Sequence, residues 1–323
     1  MRLAPMLSLT VISLFTAMCV TPPKAPKDSS QKLSAKARPA DLAAPRYEGP
    51  DFAELCKKSN ESEYLQKIID KLLAIAGTKD CKDAQKALSQ LDKIDLAAQD
   101  LRDIRPLAGF PQLKVLQLSL NAIEDISPLG SLTQLEELYL GDNQLTDISA
   151  LNGMSLLRIL DLAENHIHSL EPLRNLQHIS WLELSGNEIE STAAMQGFEQ
   201  LRYLSIGKNR LTSFAFTRSQ QLEEIHAANN RLTDLTSASS FSKLKILDLA
   251  ENQIQDVHPL SSLHELEWLD LSDNPLSEVS PLKQLLKLET LALRHTRVSD
   301  IRSLNSLKQL TELDVTGTSI KRK

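Results

Sequence analysis

Leu135-Glu136-Glu137-Leu138-Tyr139-Leu140-Gly141-Asp142-Asn143-Gln144-Leu145 reduces to the frame Leu-x-x-Leu-x-Leu-x-x-Asn-x-Leu, and Leu266 to Leu276 repeats it around Asn274. The asparagine returns every 22 residues at Asn121, Asn143, Asn165, Asn187 and Asn209, then after one 21-residue step at Asn230, Asn252 and Asn274. A fixed period of this length means a solenoid, in which each repeat buries its apolar face against its neighbours. Eleven turns follow, starting at Leu91, Leu113, Leu135, Leu157, Ile179, Leu201, Leu222, Leu244, Leu266, Leu288 and Leu310.

Within each turn the Leu-x-x-Leu-x-Leu stretch reads as a short parallel strand whose alternate side chains enter a common core. The Asn amide can donate and accept hydrogen bonds where the backbone then bends. Prolines at 106, 128, 172, 259 and 281 follow the bend, preset for the first turn of a short helix, so the far side should be 3₁₀ turns. The frame resembles the leucine-rich repeat family, and its spacing resembles the bacterial internalin-type and protein phosphatase-regulator-type repeats. That resemblance implies an α/β solenoid: an arc with a parallel concave β-sheet, short 3₁₀ convex segments and an α-helical N-terminal cap. It also implies adhesion or scaffolding rather than catalysis.

Four segments precede or make up the repeats. Residues 1–18 read as a signal peptide, because the apolar run Leu7 to Ala17 is too short to span a bilayer. Thr16-Ala17-Met18-Cys19 resembles a bacterial lipobox with Cys19 as the acylated residue, although Met18 stands where that motif has Gly, Ala or Ser. Membrane attachment through a lipid on Cys19, in the bacterial cell envelope, is therefore expected, with secretion or a periplasmic location as alternatives. Residues 19–50 are rich in Pro, Ala, Lys and Ser and read as a disordered tether with a reach of about 30 Å. Residues 51–90 carry Leu65, Ile68, Ile69, Leu72 and Ala76 at helical spacing, with Asn60 and Glu63 as a capping box and Gly77 as the stop. A second helix from Asp80 into Leu88 should complete a cap over the first turn. Cys56 and Cys81 both lie in this cap, and an exported chain favours a disulfide between them over a metal site. Residues 91–323 form the repeats; Thr296 and Thr318 replace Asn in the last two turns, before Lys321-Arg322-Lys323.

The third, fifth and seventh residues of each turn should leave the strand away from the core. Trp181, Tyr203 and Trp268 fall in the third column, and Tyr139, Asp161, Glu183, His226, Asp248 and Asp270 in the fifth. These nine residues are the candidate ligand-binding face, with both tryptophans expected to stand free as anchors. The seventh column is nearly all small. Residues 91–323 hold 22 Lys and Arg against 32 Asp and Glu, a balance of 22 − 32 = −10, which excludes a phosphate-contacting nucleic-acid surface. Aromatic anchors among carboxylates suit a protein partner with a basic patch, or a glycan stacked on the rings. The acid pairs Asp161 with Glu183 and Asp248 with Asp270 could in principle do acid and base chemistry, but the column repeats without a singular pocket. His226 and His295 fall on the concave side without a nucleophile in frame, and His166-x-His168 reads as surface loop. No cofactor, metal site or catalytic residue is expected, and the molecule should be a monomer. Phe214-Ala215-Phe216, at the 21-residue step, should give a strand-like arc or a change in curvature.

Overall fold

The computed structural model describes residues 49–216 and 218–320. The signal peptide, Cys19, the tether up to residue 48 and Lys321-Arg322-Lys323 lie outside the described residues.

Three helices open the described chain: α1 (Phe52–Lys57), α2 (Glu63–Ala76) and α3 (Cys81–Leu88). Helix α2 buries Leu65, Ile68, Ile69 and Leu72 and stops at Gly77, which takes the left-handed conformation (φ 69°) that a Cβ would penalise. The expected capping box does not form. Asn60 belongs to a separate 3₁₀ turn, Ser59–Glu61, and Ser62 rather than Asn60 is the N-cap of α2, without a side-chain bond. Asp80 does cap α3, its carboxylate accepting from the amides of Lys82 and Asp83 at 2.9 and 3.0 Å. Cys56 in α1 and Cys81 at the start of α3 are joined by a disulfide across a sequence separation of 25 residues. Phe52 packs its ring 5.4 Å from that of Phe110, so the helices continue the repeat core instead of forming one of their own.

Eleven strands follow: β1 (Lys93–Asp95), β2 (Val115–Gln117), β3 (Glu137–Tyr139), β4 (Ile159–Asp161), β5 (Trp181–Glu183), β6 (Tyr203–Ser205), β7 (Glu224–His226), β8 (Ile246–Asp248), β9 (Trp268–Asp270), β10 (Thr290–Ala292) and β11 (Glu312–Asp314). They make one parallel sheet in sequence order, with equivalent frame positions in register throughout. The far side is built of short 3₁₀ segments such as Ser127–Ser131 and His258–Ser262, and all five expected prolines sit in their first turn. Most of these segments are led by an acid or serine two residues earlier that binds the first amide, as Asp125 does for Ser127 at 2.7 Å.

The asparagines are linkers between turns. Asn143 Nδ2 donates to Leu118 O in the preceding turn (3.0 Å) and to Leu140 O in its own (2.9 Å), while Oδ1 accepts from Ile123 N, again in the preceding turn (3.0 Å). The same three bonds recur at Asn165, Asn187 and Asn274. Immediately before the asparagine position, the eighth residue of every turn has positive φ, from 49° at Glu164 to 75° at Gly317. Nine of these eleven residues are not glycine, so the stack holds them in a conformation that costs each about 1 kcal/mol.

Among the described residues the 21-residue step carries no 3₁₀ segment, and its arc is joined to the next turn through a parallel bridge between Ser213 and Asp234. Phe214 and Phe216 are buried there against Phe241. Among the described residues no helix is long and apolar enough to cross a membrane.

Candidate functional site

On the face of the sheet turned away from the core, Tyr139, Ile159 and Trp181 form a second apolar cluster, with Val115 and Tyr203 packed against it. Strands β2 to β6 bring these residues together because the third column passes Val115, Ile159, Trp181 and Tyr203 up the sheet while Tyr139 leans in from the fifth. Trp181 and Tyr203 stack with centroids 5.0 Å apart and planes 6° from parallel, and the His226 ring lies 5.5 Å beyond Tyr203. The Tyr139 hydroxyl donates to Glu137 Oε2 at 3.0 Å.

Trp181 is therefore not a free-standing anchor. It is only 8% exposed, and its Nε1 is buried without an acceptor. Trp268 is placed apart, between Ile246 and Thr290, half-buried and without a ring contact among the described residues. Of the expected aromatic face, the structure unites Tyr139, Trp181, Tyr203 and His226 and leaves Trp268 separate.

The acidic column has a backbone role. The carboxylates of Asp161, Glu183, Asp248 and Asp270 accept from the amides of Ala163, Ser185, Ala250 and Ser272 at 3.0, 2.9, 3.1 and 2.8 Å, each two residues further on. The strand has ended there, and the side chain satisfies an amide that the sheet ladder does not. Small seventh residues leave room for this: a Cβ added to Gly141 would lie 2.8 Å from Asp161 Oδ2. Burial, and then the neighbouring Glu183 charge, push the Asp161 carboxyl up to about 6. Burial likewise raises Asp248, with Asp270 adding to it, and raises Asp270 itself. The phenols of Tyr139 and Tyr203 are also raised, first by burial and then by Glu137 and Glu183 respectively. The carboxylates, when ionised, are acceptors for donors and cations, while the phenols keep their protons and donate.

His226 faces Glu224 at 3.8 Å. His295 is not in the strand columns; it is an eighth-position residue with φ 52° whose Nδ1 lies 2.9 Å from Asp273 Oδ1, in the bend beyond the strand. His166 and His168 lie 3.7 and 3.2 Å from Glu188, which Arg210 also pairs at 2.6 Å. No group of three or more metal-ligating side chains with the geometry to hold an ion occurs among the described residues. Val115, Glu137 and Ile159 join the face without having been singled out, and their signal was their place in the third column beside Trp181.

Leucine-rich repeat family models match residues 111–153 and 133–175, described as leucine-rich repeats in two copies, and residues 220–276, described as a leucine-rich repeat. No match is found among curated protein sequences. Among solved structures, an internalin (inlF) from Listeria monocytogenes is similar at 26% identity and TM-score 0.68, covering 86% of this chain and 86% of that one. A second internalin of the same organism is 28% identical with TM-score 0.54, covering 80% of this chain and 100% of its own. A third Listeria structure, the functional domain of InlJ with a cysteine ladder, shares the fold at 22% identity and TM-score 0.63, covering 80% and 61%. This chain builds its own ladder from asparagine amides. Its solenoid is built of leucine-rich repeats and is structurally similar to the internalins of Listeria.

Proposed function

We propose that this chain is an exported, lipid-anchored binding protein of the 22-residue internalin-like type, whose concave sheet takes a protein partner with a basic patch. The observation that carries the reading is the apolar cluster Val115, Tyr139, Ile159, Trp181 and Tyr203 on the water side of the sheet, bordered by Glu137, Asp161, Glu183 and Glu224. Large side chains gathered outside the core and ringed by uniform charge are the make-up of an interface centre. The Cys56–Cys81 disulfide fits an oxidising compartment. In this organisation residues 1–18 are removed, Cys19 carries lipid, residues 19–50 tether the molecule, residues 51–90 cap it and residues 91–323 bind.

The test is cross-linking and capture from envelope extracts on the immobilised protein, compared with Ile159→Lys. A partner eluted by salt, cross-linked to turns two to six and lost in the variant is the expected result. Retention by the variant, or cross-links confined to the 3₁₀ side, would refute it. Intact mass of the mature protein tests lipidation at Cys19. Trp268, whose ring meets no other ring among the described residues, supports a second reading in which a glycan stacks there; capture competed by sugars and indifferent to salt would favour it.

A further inference from the structure

Asp161 and Glu183 stand in register on β4 and β5, and each commits one oxygen to its own strand's backbone. Asp161 Oδ1 accepts from Ala163 N at 3.0 Å and Glu183 Oε1 from Ser185 N at 2.9 Å, leaving the second oxygens, Oδ2 and Oε2, without a donor among the described residues. No Lys, Arg or His among the described residues bridges either acid, although acids elsewhere on the solenoid find cations, as Glu188 finds Arg210 and Glu265 finds Lys287, both at 2.6 Å. Aromatics flank the pair in the sheet: Tyr139 is the register partner of Asp161 on β3, and Tyr203 stands beside Trp181 on β6, next to the strand of Glu183. On the same strand as Glu183, the buried Nε1 of Trp181 is a donor without an acceptor.

The open groups are of opposite kind. Two carboxylate oxygens that reach solvent can take donors, and a buried indole N–H calls for an acceptor. A metal ion or a free amine would answer only the first. A peptide segment with a basic side chain answers both, because its backbone carbonyls accept while its side chain donates. Strand neighbours about 4.8 Å apart suit a planar guanidinium, which presents donors along two edges and stacks on aromatic rings, better than a compact, strongly hydrated ammonium.

Resting on the protein-binding reading above, we propose that turns three to six receive an extended partner segment through an arginine whose guanidinium spans Asp161 and Glu183 between Tyr139 and Tyr203. The apolar neighbours of that arginine lie on Ile159 and Trp181.

The experiment titrates the full chain with acetyl-Leu-Arg-Leu-amide and with its citrulline counterpart, which has the same shape and no charge, at pH 7.5 and low salt, following the Trp181 indole N–H resonance. A saturable shift with the arginine peptide, at least tenfold weaker with citrulline, is expected. Asp161→Asn/Glu183→Gln keeps oxygen acceptors for Ala163 and Ser185 and should erase the preference. Arginine affinity should also fall about tenfold between pH 7.5 and pH 5 as Asp161, faced by Tyr139, Glu183 and Tyr203, takes up its proton. Equal affinity for the two peptides, no saturable shift with either, or a preference that survives in the double variant overturns the proposal. If the peptides bind alike while Ile159→Lys still abolishes capture, the arginine subsite fails and the protein-binding face stands. If the arginine preference holds while Ile159→Lys leaves capture unchanged, the subsite stands and the wider face fails.

Discussion

Glu164 reaches past Gly186 to place its carboxylate 3.3 Å from Lys208 Nζ, two turns further along the stack. Gly186 makes the crossing possible, since a Cβ there would lie 2.4 Å from Glu164 Cδ. Gly186→Ala should therefore destabilise by about 1 to 2 kcal/mol, combining a left-handed backbone penalty with displacement of Glu164. In a Glu164→Ala background the same substitution should cost measurably less, a coupling that a double-mutant cycle in urea would read. The ion pair is exposed, so 0.5 M salt should change either value little.

Asn187→Thr should cost about 2 to 4 kcal/mol, from two backbone groups of the preceding turn left without partners. Asn187 serves Leu162 O, Leu184 O and Ile167 N at 2.9, 3.0 and 2.9 Å, whereas a threonine at this frame position, as Thr296 shows, bonds only the carbonyl of its own turn, Leu293 O at 2.8 Å. Urea unfolding measures the loss, and a cost below about 0.5 kcal/mol would mean that the inter-turn bonds contribute little.

Asp161→Asn should stabilise the protein above pH 6 and be neutral at pH 4. Burial raises this carboxyl from 3.8 to about 6, so between those values the folded state holds a proton that the unfolded chain has released. Stability therefore falls as pH rises through that window, and the full cost is present above it. The amide carries no charge to desolvate and still accepts from Ala163 N. A gain of about 1 to 2 kcal/mol at pH 7.5 is expected for a half-buried group, visible as a raised Tm that merges with the wild-type value near pH 4. The arginine subsite and stability would then be opposed at one residue.

Trp181→Ala should cost about 3 kcal/mol, because it removes a nine-tenths buried ring stacked on Tyr203. Trp268→Ala should cost less than half as much, its ring being half-buried and unstacked. Thermal unfolding of the two variants side by side checks the order. Equal losses would mean that the stack on Trp181 contributes nothing beyond area.

The strands and core were legible because the stack imposes one demand on every turn: Leu116, Leu138, Leu160 and their equivalents can only be leucine-like, and the linking asparagine can only be asparagine-like. Gly77, the prolines and the cysteine pair were legible for the same reason, each residue type having few places it can serve. Helix α1 was not, since six residues are too few to show a period. The left-handed eighth position left only a blurred mark, since Ala98, Leu120, Lys208 and His295 share it with Asp142, Gly186, Asn229, Asp273 and Gly317; backbone hydrogen bonds between turns hold it where no glycine stands. The amide-binding role of Asp161 and Asp248 did have a signal, an acid two residues before a small residue at a strand end. The gathering of Tyr139 with Trp181 had none, because which way a ring leans across columns depends on neighbours two turns away.

Each linking asparagine accepts from a residue 20 positions back and donates to residues 25 and 3 positions back, except Asn230 after the 21-residue step, which meets Leu211 N at 19 positions and Ile206 O at 24. Removing or duplicating a whole turn regenerates identical partners, whereas a shift of one or two residues must be absorbed in the arc, as the one bridged at Ser213 does. The protein thus changes length by copy number. A duplication between Trp181 and Trp268 would move the two rings apart by one fixed increment of about 4.8 Å while leaving each ring's local chemistry intact. The spacing of contacts presented to a partner is therefore a digital quantity, adjustable in integer steps independently of what each contact recognises.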